Sequence, residues 1–232
     1  MKKKLVVLTG AGISAESGIK TFRDADGLWE GHDVNEVATP QGFRINPDLV
    51  HDFYNQRRRQ LLEVHPNAAH EFLAELENDF EVHIITQNVD DLHERAGSSQ
   101  VLHLHGELLK IRSLSDPGRI VEWGEDLTVD YVDEDGHRYR PHIVWFGEAV
   151  PLLEVAASQC SRADICLVIG TSLQVYPAAS LLDYCPSDTP IFYIDPHPGD
   201  TFQFANRSQI EVLPYPATVG IRHLREIISD FK

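Results

Sequence analysis

The sequence predicts an α/β fold built on a mostly parallel sheet with helices on both faces. Three observations carry that reading. A short apolar run rich in β-formers, Leu5-Val6-Val7-Leu8, leads straight into Gly10-Ala11-Gly12-Ile13-Ser14-Ala15. Further apolar runs at Val82–Thr86, Ile165–Ile169 and Ile191–Ile194 each end in polar or small residues. Helical patterns separate these runs, and strands that alternate with helices pack as parallel sheets.

Gly10, Gly12 and Ala15 have the G-x-G-x-x-G/A spacing of a dinucleotide site. There the first glycine permits a tight turn, the second lets the backbone approach a pyrophosphate, and the small third residue lets helix and strand pack. Helix N–H groups would face the phosphates. A plain glycine turn is the alternative. A dehydrogenase pattern would continue with a second strand ending in an acidic residue about 20 positions on. The stretch from Thr21 to Trp29 is instead polar and glycine-broken, and the next convincing strand begins at Val82. The core is therefore Rossmann-like with a long insertion after its first helix.

Thr39-Pro40 and Asn46-Pro47 read as helix N-caps followed by a first-turn proline. From Asp48 to Val64, Leu49, Val50, Phe53, Leu61 and Leu62 recur at helical spacing. Pro66 opens a further helix carrying Ala69, Phe72, Leu73 and Leu76. After the Val82–Thr86 strand, a helix from Asp91 ends at Gly97. Val101 to Leu104 is a short strand, and Lys110 to Pro141 a β-type lobe. Ile143 to Glu148 is expected to return the chain to the core, before a helix at Leu152 to Ala163 and an amphipathic helix at Thr218 to Phe231. One domain is expected to span 1–232, with a core of about 1–30, 77–105 and 143–232. A helical insertion (about 31–76) and the lobe (about 106–142) form the rest.

A formal net charge of −16 argues against general nucleic-acid binding, which needs a basic footprint, and suits a lysine-bearing partner. The three cysteines, Cys160, Cys166 and Cys185, show no C-x-x-C spacing. That points to a reducing, cytoplasmic setting without a disulfide framework or a cysteine zinc site. The apolar run after Lys2-Lys3-Lys4 is too short for a signal peptide, and no run is long enough for a membrane helix. A monomer is expected.

His105 is the candidate base, since imidazole moves protons near neutral pH. It precedes Gly106, where the backbone is expected to approach a ligand. Three other strand-end loops should converge on the same sheet edge: Gly10-Ala11-Gly12, Gln87-Asn88-Val89-Asp90 and Gly170-Thr171-Ser172. Asn88 and Asp90 suit ribose hydroxyls and a nicotinamide carboxamide, or else simply cap the next helix.

Gly10–Ser14 followed by Thr21-Phe22-Arg23, together with Gln87-Asn88-x-Asp90, His105-Gly106 and Gly170-Thr171-Ser172, resembles the sirtuins, NAD-dependent protein deacylases. The resemblance implies that the acyl oxygen of an acyl-lysine attacks C1′ of the NAD ribose as nicotinamide leaves. His105 then activates a ribose hydroxyl, giving free lysine and O-acyl-ADP-ribose, with NAD consumed and no hydride transferred. It implies NAD contacts for Gly10, Ala11, Gly12, Ser14, Ala15, Glu16, Thr21, Phe22, Arg23, Trp29, Gln87, Asn88, Asp90, Gly170, Thr171 and Ser172, with Asn88 also catalytic. Asp195 and Ala217 join them, although Asp195 stands where many members have Asn. Val144, Phe146, Gly147 and Glu148 match the strand that pairs with substrate peptide.

Two departures sharpen the expectation. Sirtuins usually hold zinc in the small lobe with two C-x-x-C pairs. Here no cysteine lies between His105 and Val144, and His137 and His142 among Asp133, Glu134 and Asp135 make a poor site. A zinc-free lobe packed around Leu114, Ile120, Trp123, Leu127 and Tyr131 is expected. Tyr54 and Arg57 share a helix face and can together hold a carboxylate, or else Arg57, Arg58 and Arg59 form a solvated face and Tyr54 is core. Tyr-x-x-Arg with small Ala38 resembles class III sirtuins, which remove succinyl, malonyl and glutaryl groups, so acidic acyl-lysines are the expected substrates and acetyl a secondary one. The rival functions are a hydride-transferring oxidoreductase, a non-catalytic NAD or ADP-ribose module, and a mono-ADP-ribosyltransferase.

Overall fold

The computed structural model describes residues 2–20, 28–29, 31–199, 207 and 209–232, with the backbone alone for Leu28 and Trp29. The expected contacts of Thr21, Phe22 and Arg23, and of the Trp29 side chain, lie outside the described residues. The chain opens with β1 (Lys4–Thr9) and the short helix α1 (Ala11–Ser14). A β2 (Leu28–Trp29) and β3 (His32–Asp33) hairpin and helices α2 (Val34–Val37), α3 (Pro40–Ile45), α4 (Pro47–Glu63) and α5 (Ala68–Leu76) form the insertion. Next come β4 (Glu81–Thr86), α6 (Leu92–Arg95), β5 (Val101–His103), β6 (Gly106–Ser113), β7 (Ile120–Glu122) and β8 (Tyr139–Ile143). The chain closes with α7 (Leu153–Cys160), β9 (Ile165–Ile169), β10 (Ile191–Ile194), β11 (Ile210–Leu213) and α8 (Ala217–Ile228).

The main sheet has the order β11-β10-β9-β1-β4-β5, and every neighbouring pair is parallel. In chain order this is the doubly wound arrangement whose ligand crevice opens where the winding reverses, here between β1 and β9. Period-two alternation puts Leu5 and Val7 on one face and Val6 and Leu8 on the other. The first face packs against α5 and α8 through Phe72, Leu73, Ile221 and Leu224. The second packs against α7 and the 178–184 turn through Ala156, Leu181 and Leu182. Among the described residues, no helix is long and apolar enough to cross a membrane.

Several expectations need correction. Leu62 is exposed, because the α4 stripe runs through Val50, Phe53, Tyr54 and Leu61. Ile143 to Glu148 does not rejoin the core sheet. Ile143 ends β8 in the small antiparallel sheet β7-β6-β8, and residues 145–148 form a turn, closed by the Glu148 N–H on the Trp145 carbonyl with Gly147 at φ 87°. The lobe core is Ile111, Leu127 and Tyr139 with Val121, Trp123 and Tyr131 packed on them. Leu114 and Ile120 are exposed, since Val121, not its neighbour Ile120, faces inward on β7.

Candidate active site

The sheet register itself gathers the site. Thr9 pairs with Thr86 and Ile169, Thr86 with His103, and Ile169 with Ile194. The loops beginning at Gly10, Gln87, His105, Gly170 and Asp195 therefore leave the sheet at one edge. Backbone bonds bind each loop to the next: Gln87 N–H to Thr9 O (2.9 Å), Gly170 N–H to Ile194 O (2.8 Å) and Gly12 N–H to Gly170 O (2.8 Å).

The glycines have a packing reason beside the one the spacing suggests. A Cβ on Gly12 would stand 2.7 Å from Gly170 Cα, and one on Gly10 the same distance from Thr171 Cβ. Glycine is needed so that the two loops on either side of the crevice can touch. Gly106, at φ 82°, would place a Cβ 2.0 Å from His142 O, so it serves close strand packing against β8. Ala15 is exposed, because α1 stops at Ser14 and the chain turns outward through a 3-10 turn; Ile13 packs on the sheet instead. Ala11 is half-buried beside it. Glu16 lies at the start of α8, where its carboxylate accepts from Thr218 N–H (2.9 Å) and Oγ1 (2.6 Å).

Ser14 is the buried node beneath the crevice. The Asn67 N–H donates to His70 Nδ1 (3.3 Å), so neutral His70 carries its proton on Nε2 and offers it to Ser14 Oγ (3.4 Å). Asn88 Nδ2 donates to the same oxygen (3.1 Å), and Ser14 donates to Asp90 Oδ2 (2.9 Å). Burial pushes the Asp90 carboxyl up against these stabilising bonds. The Asn88 N–H is held by Thr86 Oγ1 (3.0 Å). Asp90 also accepts the Leu92 N–H at the start of α6 (3.2 Å), as the capping alternative expects.

His105 Nδ1 lies 3.0 Å from Gln87 O. A carbonyl only accepts, so Nδ1 carries the proton and Nε2 of the neutral ring keeps its lone pair. Burial holds the ring below the ordinary histidine range, against the raising effect of that bond. His105 is thus a neutral base. Gln87 Nε2 donates to Thr171 Oγ1 (3.1 Å), joining two loops, and Ser172 is half-buried beside Thr171. Asp195 is buried with Oδ1 on the His197 N–H (2.8 Å), and Ala217 is buried at the start of α8. The Asn88 amide, the Asp90 carboxylate and neutral His105 at one crevice edge fit the ribose and carboxamide chemistry of NAD.

The insertion and the small lobe meet beside this edge. Val144 N–H donates to His105 O (2.9 Å) and Phe146 N–H to Ala38 O (3.0 Å). Ala38 is buried and Phe146 exposed. Glu148 accepts from Arg140, Arg112 and the Trp145 N–H, which fixes the turn. Tyr54 is fully buried, with its hydroxyl accepting from Trp145 Nε1 (3.0 Å). Burial raises its phenol above the ordinary range, so it is a neutral group. The Arg57 guanidinium lies 3.7 Å from the Phe53 ring centroid and donates to Phe53 O (2.6 Å). Sequence reasoning missed His70 and His93, buried histidines whose rings meet edge to face under the crevice.

The Sir2 family model matches residues 10–177. An NAD-dependent protein deacylase of Helicobacter pylori is 60% identical over 216 residues, 91% of this chain and 94% of the relative. One from Bacteroides thetaiotaomicron is 55% identical over 232 residues, 97% and 98% of the two chains. Among solved structures, a Sir2 homolog–NAD complex superposes with a TM-score of 0.84 at 39% identity, covering 98% of this chain and 91% of that one. A Sir2 bound to acetylated peptide superposes with 0.79 at 28% identity, covering 99% and 93%. With the family match running from the glycine loop past the Gly170–Ser172 loop, and close relatives over nearly its whole length, this chain belongs to the Sir2 family.

Proposed function

We propose that this chain is an NAD-dependent protein-lysine deacylase that prefers acidic acyl groups, succinyl and malonyl foremost, with glutaryl and acetyl as further substrates. The observation that carries the reading is neutral His105, whose Nδ1–Gln87 bond leaves the lone pair on Nε2 and ties the ring to the start of the loop that carries Asn88 and Asp90. NAD supplies the ribose carbon that the acyl oxygen attacks as nicotinamide departs. Asn88 orients the ribose, Asp90 takes the carboxamide N–H groups, and His105 accepts the proton of a ribose hydroxyl. The N–H groups of Val144, Trp145, Phe146 and Glu148 are bonded within the protein, so what this segment can offer a substrate peptide is its carbonyls and the Gly147 N–H.

Tyr54 and Arg57 lie three residues apart on one face of α4, and that spacing supports the acidic-acyl reading. A guanidinium and a phenol together give three donors for a carboxylate.

The lobe is proposed to need no zinc. Among the described residues its one cluster of potential ligands is Asp133, Asp135 and His137. Those oxygens already serve protein partners: Asp133 takes Arg119, the Tyr139 hydroxyl and the His137 N–H, and Asp135 takes Arg119. A single imidazole with committed carboxylates does not fit a structural zinc. The reading also takes the chain as a monomer in a reducing cytoplasm; the three buried free thiols support the reducing setting alone.

Nicotinamide release tests the activity. It should depend on an acylated peptide and run faster with succinyl-lysine than with acetyl-lysine. NAD consumption that ignores the peptide would refute it.

A further inference from the structure

Two histidines on one strand end hold consecutive carbonyls of the loop opposite. His105 donates to Gln87 O and His103, through Nδ1, to Asn88 O, both across 3.0 Å. His103 differs in its second nitrogen, which lies 2.8 Å from Glu94 Oε1. Both of its partners are acceptors, so both ring nitrogens carry protons and the ring is an imidazolium. It is 8% exposed.

Asn88 and Glu94 are the two ends of one segment, the loop that carries Asp90 and the helix α6 that follows. One buried ring bridges them. The bridge completes the fixing of Asn88. Its N–H is held by Thr86, its amide nitrogen by Ser14 and its carbonyl by His103. Among the described residues, only its amide oxygen has no hydrogen-bond partner, and that acceptor is the atom a ribose hydroxyl would use.

We propose that His103 is a positioning residue for the NAD reaction, stapling the Asn88 carbonyl to Glu94 so that Asn88 and Asp90 keep one geometry toward the ribose and nicotinamide. The proposal rests on the reading that this loop holds that half of NAD. The charged groups around His103 agree with it. Burial alone would pull its ring down, but Glu94, the Asn88 carbonyl and Glu107 outweigh this and hold it above the ordinary histidine range. Its charge in turn pulls the Asp90 carboxyl down and helps keep His93 neutral.

Kinetics of His103→Leu, His103→Asn and the control Asn88→Ala test the staple. The Asn side chain keeps a donor near the Nδ1 position, whereas Leu keeps none. His103→Leu should lower kcat/KM for NAD by ~10–100-fold, the usual effect of losing a charged hydrogen bond. The KM for the acyl-peptide should stay unchanged, and His103→Asn should recover only part of the loss, since it keeps a donor for the Asn88 carbonyl but not the bond to Glu94. Equal impairment in the Leu and Asn variants, a parallel change in peptide KM, or wild-type NAD kinetics in His103→Leu would each overturn the proposal. If Asn88→Ala itself left NAD kinetics intact, the underlying reading of the loop would fall, and the proposal with it. Should His103→Leu not fold, histidine NMR of the wild type and Glu94→Gln decides. The His103 ring should titrate above an ordinary histidine in the wild type and lower in Glu94→Gln, with NAD kcat/KM reduced in that variant. A wild-type His103 that titrates at or below the ordinary value, or unaltered kinetics in Glu94→Gln, would overturn it.

Discussion

The Trp145 indole N–H donates to the Tyr54 hydroxyl across 3.0 Å, tying the turn after β8 to the helix α4. Trp145 is held in turn by the Arg140 guanidinium, 3.3 Å from its ring centroid, and Arg140 is anchored on Glu148. The turn and the proposed acyl pocket are therefore one packed unit.

Acyl selectivity should follow from that unit. Arg57→Met should cut desuccinylation by ~10–100-fold, the effect of losing a charge-assisted bond, and leave deacetylation nearly unchanged. Trp145→Phe, which removes the indole N–H bond to the phenol, should reduce desuccinylation by a smaller factor of ~3–10. Paired kinetics with succinyl- and acetyl-lysine peptides of one sequence check both. Equal losses on the two substrates would return Arg57 to a structural role.

His105→Ala should fold, bind NAD and lose ~10²–10⁴ in turnover, as removal of a general base does. Because burial holds His105 below the ordinary range, the acid limb of the wild-type pH–rate profile should also lie below that of a free imidazole. Activity falls as pH drops through the lowered value and the base takes a proton. A limb at higher pH than free imidazole would assign the titration to another group.

Stability should decline on mild acidification. Burial lowers His51 and His70 from 6.5 to about 4. Above 6.5 both the folded and the unfolded histidines are neutral and their contribution is complete. Between 6.5 and about 4 the unfolded chain binds protons that the folded chain refuses, so stability is lost as pH falls, by up to ~3 kcal/mol for each histidine. His103 has the opposite sign: its contribution is present at low pH and lost as pH rises through its raised value. Urea unfolding at pH 7.5 and 5 measures the balance, and His70→Gln should flatten the acid-side slope. An unchanged slope in that variant would contradict the assignment.

Chelation should leave activity and melting temperature unchanged, and elemental analysis should find no stoichiometric zinc. The lobe should depend instead on its polar lock. Tyr139→Phe removes the hydroxyl that accepts from Arg119 Nε (2.8 Å) and donates to Asp133 (2.8 Å), and should cost on the order of 1–2 kcal/mol. One equivalent of tightly bound zinc with chelator-sensitive activity would overturn this.

The parallel core was legible because Leu5–Leu8, Val82–Thr86, Ile165–Ile169 and Ile191–Ile194 are buried runs between small-residue loops. The register then put His105, Gln87, Gly10 and Gly170 at one edge, as strand ends alone implied. The missed edge strand β11 has a charged, exposed Glu211 in its middle, which hides a strand among loop residues. The apolar Val144-Trp145-Phe146 run reads as a strand, yet Glu148 folds it into a turn through Trp145, Arg140 and the more distant Arg112. Nor does spacing show why Gly12 is glycine: Gly170, which fills the space, comes far later in the chain. The His70–Ser14–Asp90 and Glu94–His103–Asn88 networks are tertiary in the same way.

The most direct test is mass spectrometry of a succinyl-lysine peptide incubated with the protein and NAD. The expected products are the peptide with free lysine, nicotinamide and O-succinyl-ADP-ribose in equal amounts. A peptide that gained ADP-ribose or nicotinamide absorbance of the reduced form would contradict deacylation, and an unaltered succinyl-peptide in the presence of NAD would contradict the acidic-acyl preference.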